Sequence, residues 1–267
     1  MRFKKFAILL LVTFMTVGAF AGCVKDGGGS DNKGTVKLGV VNWAEGIAMT
    51  NLVTAVLEDH MNYEVDITVA DVAPIFTSVA SGNTDAFLDV WLPVTHESYM
   101  EEYGDNLVDL GINNGNARIG LVVPEYVEVD SIEELNDNAE IFDKKIIGID
   151  AGAGIMSSTE EAIDEYDLDF ELITSSEAAM TASLSKAIDE KTPVVVTGWT
   201  PHWKFADFDL KFLEDSKGVY GKTEEIHTIA RIGLEEDMPE VYSFLEKFSL
   251  TDEQLSELMG AIAEGSN

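Results

Sequence analysis

Twice along this chain an apolar run of strand length gives way to helically spaced apolar residues, then to a second strand, a second helix and a third strand. Strands joined through helices run parallel, with the helices packed on the faces of the sheet. In the first unit, residues 36–41 read as a strand, and Met49, Leu52, Val53, Val56 and Leu57 then fall at helical spacing. Residues 63–69 alternate as a strand, 75–80 form a short helix closed by Gly82, and 86–90 form a strand ending at Trp91. A strand over 119–123 is halted by Pro124. The second unit follows with a strand over 146–149, a helix over 155–166 and a strand over 170–173. A helix carrying Met180, Leu184, Ala187 and Ile188 on one face leads to a strand over 194–197, and residues 226–232 and 239–263 read as a strand and two helices.

The carboxyl ends of parallel strands are where such sheets bind ligands. Three of the four tryptophans, Trp43, Trp91 and Trp199, sit where a strand stops and the chain turns. Indole faces attract cations, most strongly where water is excluded, and a quaternary ammonium has no N–H for a carboxylate to accept. The fourth, Trp203, follows Trp199 by one helical turn and reads as packing, with His202 beside it.

The stretch Ala151-Gly152-Ala153-Gly154-Ile155-Met156 opens the helix of the second unit. Glycine lets backbone approach a ligand, and free N–H groups at a helix start favour an anion. By itself the stretch reads as a tight turn, because the third glycine of a dinucleotide fingerprint is absent. His60, His96, His202 and His227 have no metal-ligand spacing, so no metal or cofactor is expected. His96 starts a helix beside Trp91. No nucleophile elbow or phosphate loop is present, and the chain does not read as an enzyme.

Charge narrows the partners. Forty-nine acidic residues against 17 basic ones give a net charge of −32, which repels nucleic acid and anionic headgroups. Residues 1–22 read as a signal peptide: a basic start, then an apolar stretch over 6–20 too short for a comfortable membrane span. Cys23, the only cysteine, follows Ala21-Gly22 as at a lipoprotein processing site, and residues 23–34 read as a lipid-anchor cysteine with a polar tether. An incidental cysteine or an uncleaved anchor are the alternatives.

Four segments together carry a family resemblance: VNWAE at 41–45, DVWLPVTH at 89–96, GIDAGAGIM at 148–156 and TGWTPHWKFADFDLKFLED at 197–215. They resemble the substrate-binding proteins of glycine betaine ABC importers over nearly all of the chain after Lys33. The resemblance implies an α/β, two-lobed periplasmic-binding-protein fold (type II-like), each lobe a mostly parallel sheet flanked by helices, with the ligand in the cleft. One lobe would comprise 35–124 and 225–267, the other 125–224. It further implies a trimethylammonium box of Trp43, Trp91 and Trp199, and a carboxylate site of Gly154, Ile155 and His96. The implied partners are glycine betaine, an ABC permease and its ATPase, and the membrane through a lipid anchor. Carnitine, choline and proline betaine are the alternative ligands.

Overall fold

The computed structural model describes residues 32–265; the expected signal peptide over 1–22 and lipidation at Cys23 lie outside them. The first crossover unit comprises β1 (Thr35–Val40), α1 (Ala44–Met61), β2 (Glu64–Val69), α2 (Val72–Ala80) and β3 (Ala86–Leu92). In α1 the buried residues Met49, Val53 and Leu57 recur every four positions and form its inner face. Asn62 ends that helix in the left-handed conformation (φ 62°), returning its N–H to the Leu57 carbonyl. β1 pairs in parallel with β2 on one side and β3 on the other.

After α3 (Glu97–Tyr103), the strand β4 (Leu107–Pro124) runs for 18 residues. The second unit then follows as β5 (Lys145–Ile147), α4 (Gly154–Glu165), β6 (Glu171–Ile173), α5 (Glu177–Glu190) and β7 (Val196–Thr200). Ser176 caps α5, accepting from the Ala179 N–H at 3.3 Å. The rest is α6 (Lys204–Asp207), β8 (Leu210–Phe212), β9 (Glu224–Arg231), α7 (Leu234–Asp237), α8 (Pro239–Leu245) and α9 (Asp252–Gly265). No helix among the described residues is long and apolar enough to cross a membrane.

The strand order is β2-β1-β3-β9-β4-β7-β5-β6, with β8 also on β4. The crossover units supply the parallel pairs, while β4, β8 and β9 join antiparallel and make the sheet mixed. β4 serves both parts of the sheet: its residues from Leu107 to Ala117 pair with β9, and Arg118 to Val122 pair with β7. Only its second half was expected as a strand. The first half contains Asn113-Asn114-Gly115-Asn116, which reads as a loop. Its amide donors are met internally: Asn113 donates to the Leu88 carbonyl at 2.6 Å and to Thr228 at 3.0 Å, and Asn114 to Asp252 at 2.9 Å, while Asn113 Oδ1 has no partner among the described residues. Three register shifts against β9 absorb the irregularity.

Candidate functional site

Trp43 lies between β1 and α1 in an extended conformation, as the residue preceding the helix. Trp91 and Trp199 are the penultimate residues of β3 and β7, so these strands run one or more residues further than the sequence suggested. All three indoles are buried, at 5%, 3% and 3% exposure. They meet around a small cavity that is also lined by Glu45, Thr95, Ile119, Ile149, Ala153, Gly154 and Ile155. Five of the six expected ligand-binding residues therefore line one space.

In-plane hydrogen bonds fix two of the rings. Trp91 Nε1 donates to Asp89 Oδ1 at 2.7 Å, and Trp199 Nε1 donates to Glu45 Oε2 at 2.9 Å. Bonds in the ring plane leave the π faces available, and the faces are what attract a cation.

The other side of the cavity is the start of α4. Gly152 takes φ 91°, and the chain then enters the helix at Gly154. The first N–H groups of a helix have no intrahelical acceptor and carry the positive end of its dipole. Gly154 is not required for its dihedrals, since its φ is not positive. It is required for space: a Cβ there would stand 1.9 Å from the Thr95 carbonyl oxygen.

His96, the sixth residue, is fully buried but does not line the cavity; its neighbour Thr95 does. Its Nδ1 accepts from the Trp91 N–H at 2.9 Å, which puts the ring proton on Nε2. That Nε2–H has no partner among the described residues. The imidazole stacks on Trp43 at 6.0 Å between centroids, and burial lowers its pKa to about 3, so the ring is neutral.

Trp203 packs against His202 and Phe208, outside the cavity. His202 abuts Trp199 edge-on at 5.0 Å; it accepts from the Lys204 N–H through Nδ1 and pairs through Nε2 with Glu177 Oε1 at 3.0 Å. Glu177 Oε2 in turn accepts from the Ala44 N–H at 2.9 Å, at the start of α1. Tyr99 donates to the Gly152 carbonyl at 2.9 Å.

Sequence reasoning missed the ionisable residues behind the indoles. Glu45, Asp89, Glu177 and Lys204 are all buried. Lys204 Nζ lies 3.8 Å from the centroid of the Trp199 ring with no hydrogen-bond acceptor among the described residues. Burial, reinforced by Asp89 and Glu177, raises the Glu45 pKa well above the carboxylate range; burial also raises Asp89 to about 7 and lowers Lys204 to about 7. The available signal was position: Glu45 lies two residues after Trp43, and Lys204 five after Trp199.

A cavity lined by indole faces and a helix start, with a neutral imidazole behind its wall, defines a small-molecule binding protein of the periplasmic-binding-protein fold. Residues 34–267 match the family described as the substrate binding domain of ABC-type glycine betaine transport systems. The chain is 54% identical over 132 residues to the glycine betaine/carnitine transport binding protein GbuC of Listeria monocytogenes serotype 1/2a (strain 10403S), a match covering 48% of this chain and 44% of that protein. Lactococcal OpuAC, in its closed-liganded conformation complexed with glycine betaine, superposes with a TM-score of 0.83 at 39% identity, covering 87% of this chain and 91% of the other. An ABC-transporter choline-binding protein in complex with choline superposes with a TM-score of 0.82 at 27% identity, over 87% of this chain and 84% of the other. The chain belongs to the family of ABC-type glycine betaine transport substrate-binding domains, whose members act outside the cytoplasm.

Proposed function

We propose that this protein captures glycine betaine outside the cytoplasmic membrane and hands it to an ABC permease driven by its ATPase, as part of osmoprotection. The trimethylammonium group sits among Trp43, Trp91 and Trp199. The carboxylate faces the N–H groups of Gly154 and Ile155, with His96 Nε2–H as a further donor. The observation that carries this reading is the convergence of three buried indoles and a helix start on one cavity. The residues 35–124 with 225–267 act as one lobe and 125–224 as the other. The ligand then bridges them and favours the closed form, because only closure completes both sets of contacts. Cys23 carries the lipid that tethers the domain to the membrane.

The energetics require both ends of the ligand. Desolvated cation–π contacts contribute roughly 2 kcal/mol each, so three give about 6 kcal/mol before ordering costs. A micromolar site needs about 8 kcal/mol. Charge-assisted bonds of roughly 1.5–3 kcal/mol each supply the difference. Choline is the second reading, supported by the likeness to the choline complex and by the carboxyl of Glu45 in the cavity wall, which can accept from a hydroxyl. The helix start at Gly154 and Ile155, which lines the cavity, favours a carboxylated ligand. Equilibrium dialysis with labelled glycine betaine, competed by carnitine, choline and proline betaine, tests the assignment. Displacement by a tenfold lower concentration of choline than of unlabelled betaine would overturn it.

A further inference from the structure

The buried charges form a set around the indoles rather than a random scatter. Glu45 enters the cavity wall from α1 and accepts from Trp199 Nε1. Asp89 comes from β3 and accepts from Trp91 Nε1, while its second oxygen has no partner among the described residues. Lys204 comes from the start of α6, is fully buried, and rests its ammonium on the Trp199 ring at 3.8 Å with no acceptor among the described residues. Each of these three groups either grips a box indole or lies on one.

A ring already carrying one cation attracts a second one less, and two cations sharing an indole repel through a medium of low dielectric. A carboxylate bonded to a box indole does the reverse: ionised, it favours a cation in the cavity. We propose that Glu45, Asp89 and Lys204 couple the capture of a quaternary ammonium to the release of protons into solvent, and that Lys204 is the positioning residue that sets the charge felt by the box. This rests on reading the cavity as a cation site.

The direction follows from each group in turn. A bound cation stabilises the ionised forms of Glu45 and Asp89 and the neutral amine of Lys204. All three changes lose a proton, none gains one, and the ligand's own charge is unchanged. Burial leaves both protonation states of Asp89 and Lys204 populated near neutrality, each with a pKa of about 7, so there are protons to release. The other groups facing the set do not oppose this. Glu177 is held by the Ala44 N–H and by His202. Burial keeps His202 neutral, lowering its pKa to about 4, and His96 neutral at about 3, so neither titrates above pH 6. Burial raises the Asp150 pKa and the Trp43 indole lowers it, so a bound cation can only draw a proton off Asp150 as well.

The test is calorimetric titration of the intact protein with glycine betaine at pH 6, 7 and 8, in pairs of buffers with different ionisation enthalpies. The expected result is release of about 0.3–1 proton per ligand at pH 7, and an affinity that tightens about fourfold or more from pH 6 to pH 8. Lys204→Met reduces the proton count and flattens the profile, whereas loss of a merely structural residue lowers affinity equally at every pH. Glu45→Gln, which retains an acceptor for Trp199 Nε1, also flattens it. Wild-type binding with buffer-independent enthalpy, or with an affinity constant or falling as pH rises, overturns the inference while leaving the cation site intact. No binding of glycine betaine at any pH overturns the cation site and the inference together.

Discussion

Gly154→Ala adds one methyl group where the structure has no room for it. The new Cβ would stand 1.9 Å from the Thr95 oxygen, while ordinary contact begins at 3.4 Å, so α4 and the Thr95 loop must separate by about 1.5 Å (3.4 less 1.9). The backbone itself accepts alanine, because φ at this position is not positive, and alanine is the better helix former. The cost therefore falls on the approach of the helix start to the Thr95 side of the cavity. A shift of this size takes the Gly154 and Ile155 N–H groups out of hydrogen-bond range of a carboxylate held by the indoles. Losing two charge-assisted bonds of roughly 1.5–3 kcal/mol each weakens binding by about 10²–10⁴-fold. Calorimetry with glycine betaine reads this loss, and a melting curve without ligand shows that the fold survives. An affinity within threefold of wild type in the folded variant would refute the steric argument and the helix-start clamp with it.

Trp91→Ala removes one cation–π face, so glycine betaine affinity should fall about 30-fold or more; because Trp91 is buried and bonded to Asp89, a parallel loss of roughly 3 kcal/mol in urea unfolding is expected. Asn113→Ala leaves the Leu88 carbonyl and Thr228 without their buried donor, and urea melts should record a loss of about 1–3 kcal/mol with ligand affinity unchanged. The His227 pKa is raised, first by its hydrogen bond to Asp109 at 3.0 Å. A raised folded pKa contributes stability that is complete below the ordinary value of 6.5 and disappears as pH rises through the raised one. His227→Gln should therefore destabilise the protein more at pH 5.5 than at pH 8.5, and equal losses at both would contradict the pairing.

The crossover units were legible because their apolar residues keep one period per element: Met49, Val53 and Leu57 fix α1 whether read from the chain or from the packing. That the three tryptophans gather at one cavity was legible for a different reason, since tryptophan is rare and three of four mark strand ends. What could not be read was polar residues in apolar places. Asn113 and Asn114 look like loop residues, yet they are buried within β4 because Leu88, Thr228 and Asp252 meet their amides from other parts of the chain. Glu45, Asp89 and Lys204 look like solvated surface among so many charges, and only the fold brings them behind the indoles. β8 is three residues long, too short to show a period.

In the proposed function, indole faces and a helix start act on one ligand from its two ends. The most direct measurement is a tryptophan fluorescence titration of the purified protein with glycine betaine and, separately, with choline, which keeps the trimethylammonium group and lacks the carboxylate. Saturation by glycine betaine at micromolar concentration is expected, with choline weaker by about 10²-fold, the equivalent of two lost charge-assisted bonds at the lower end of their range. Equal affinity for the two ligands would contradict the carboxylate site, and no saturation with either would contradict the box.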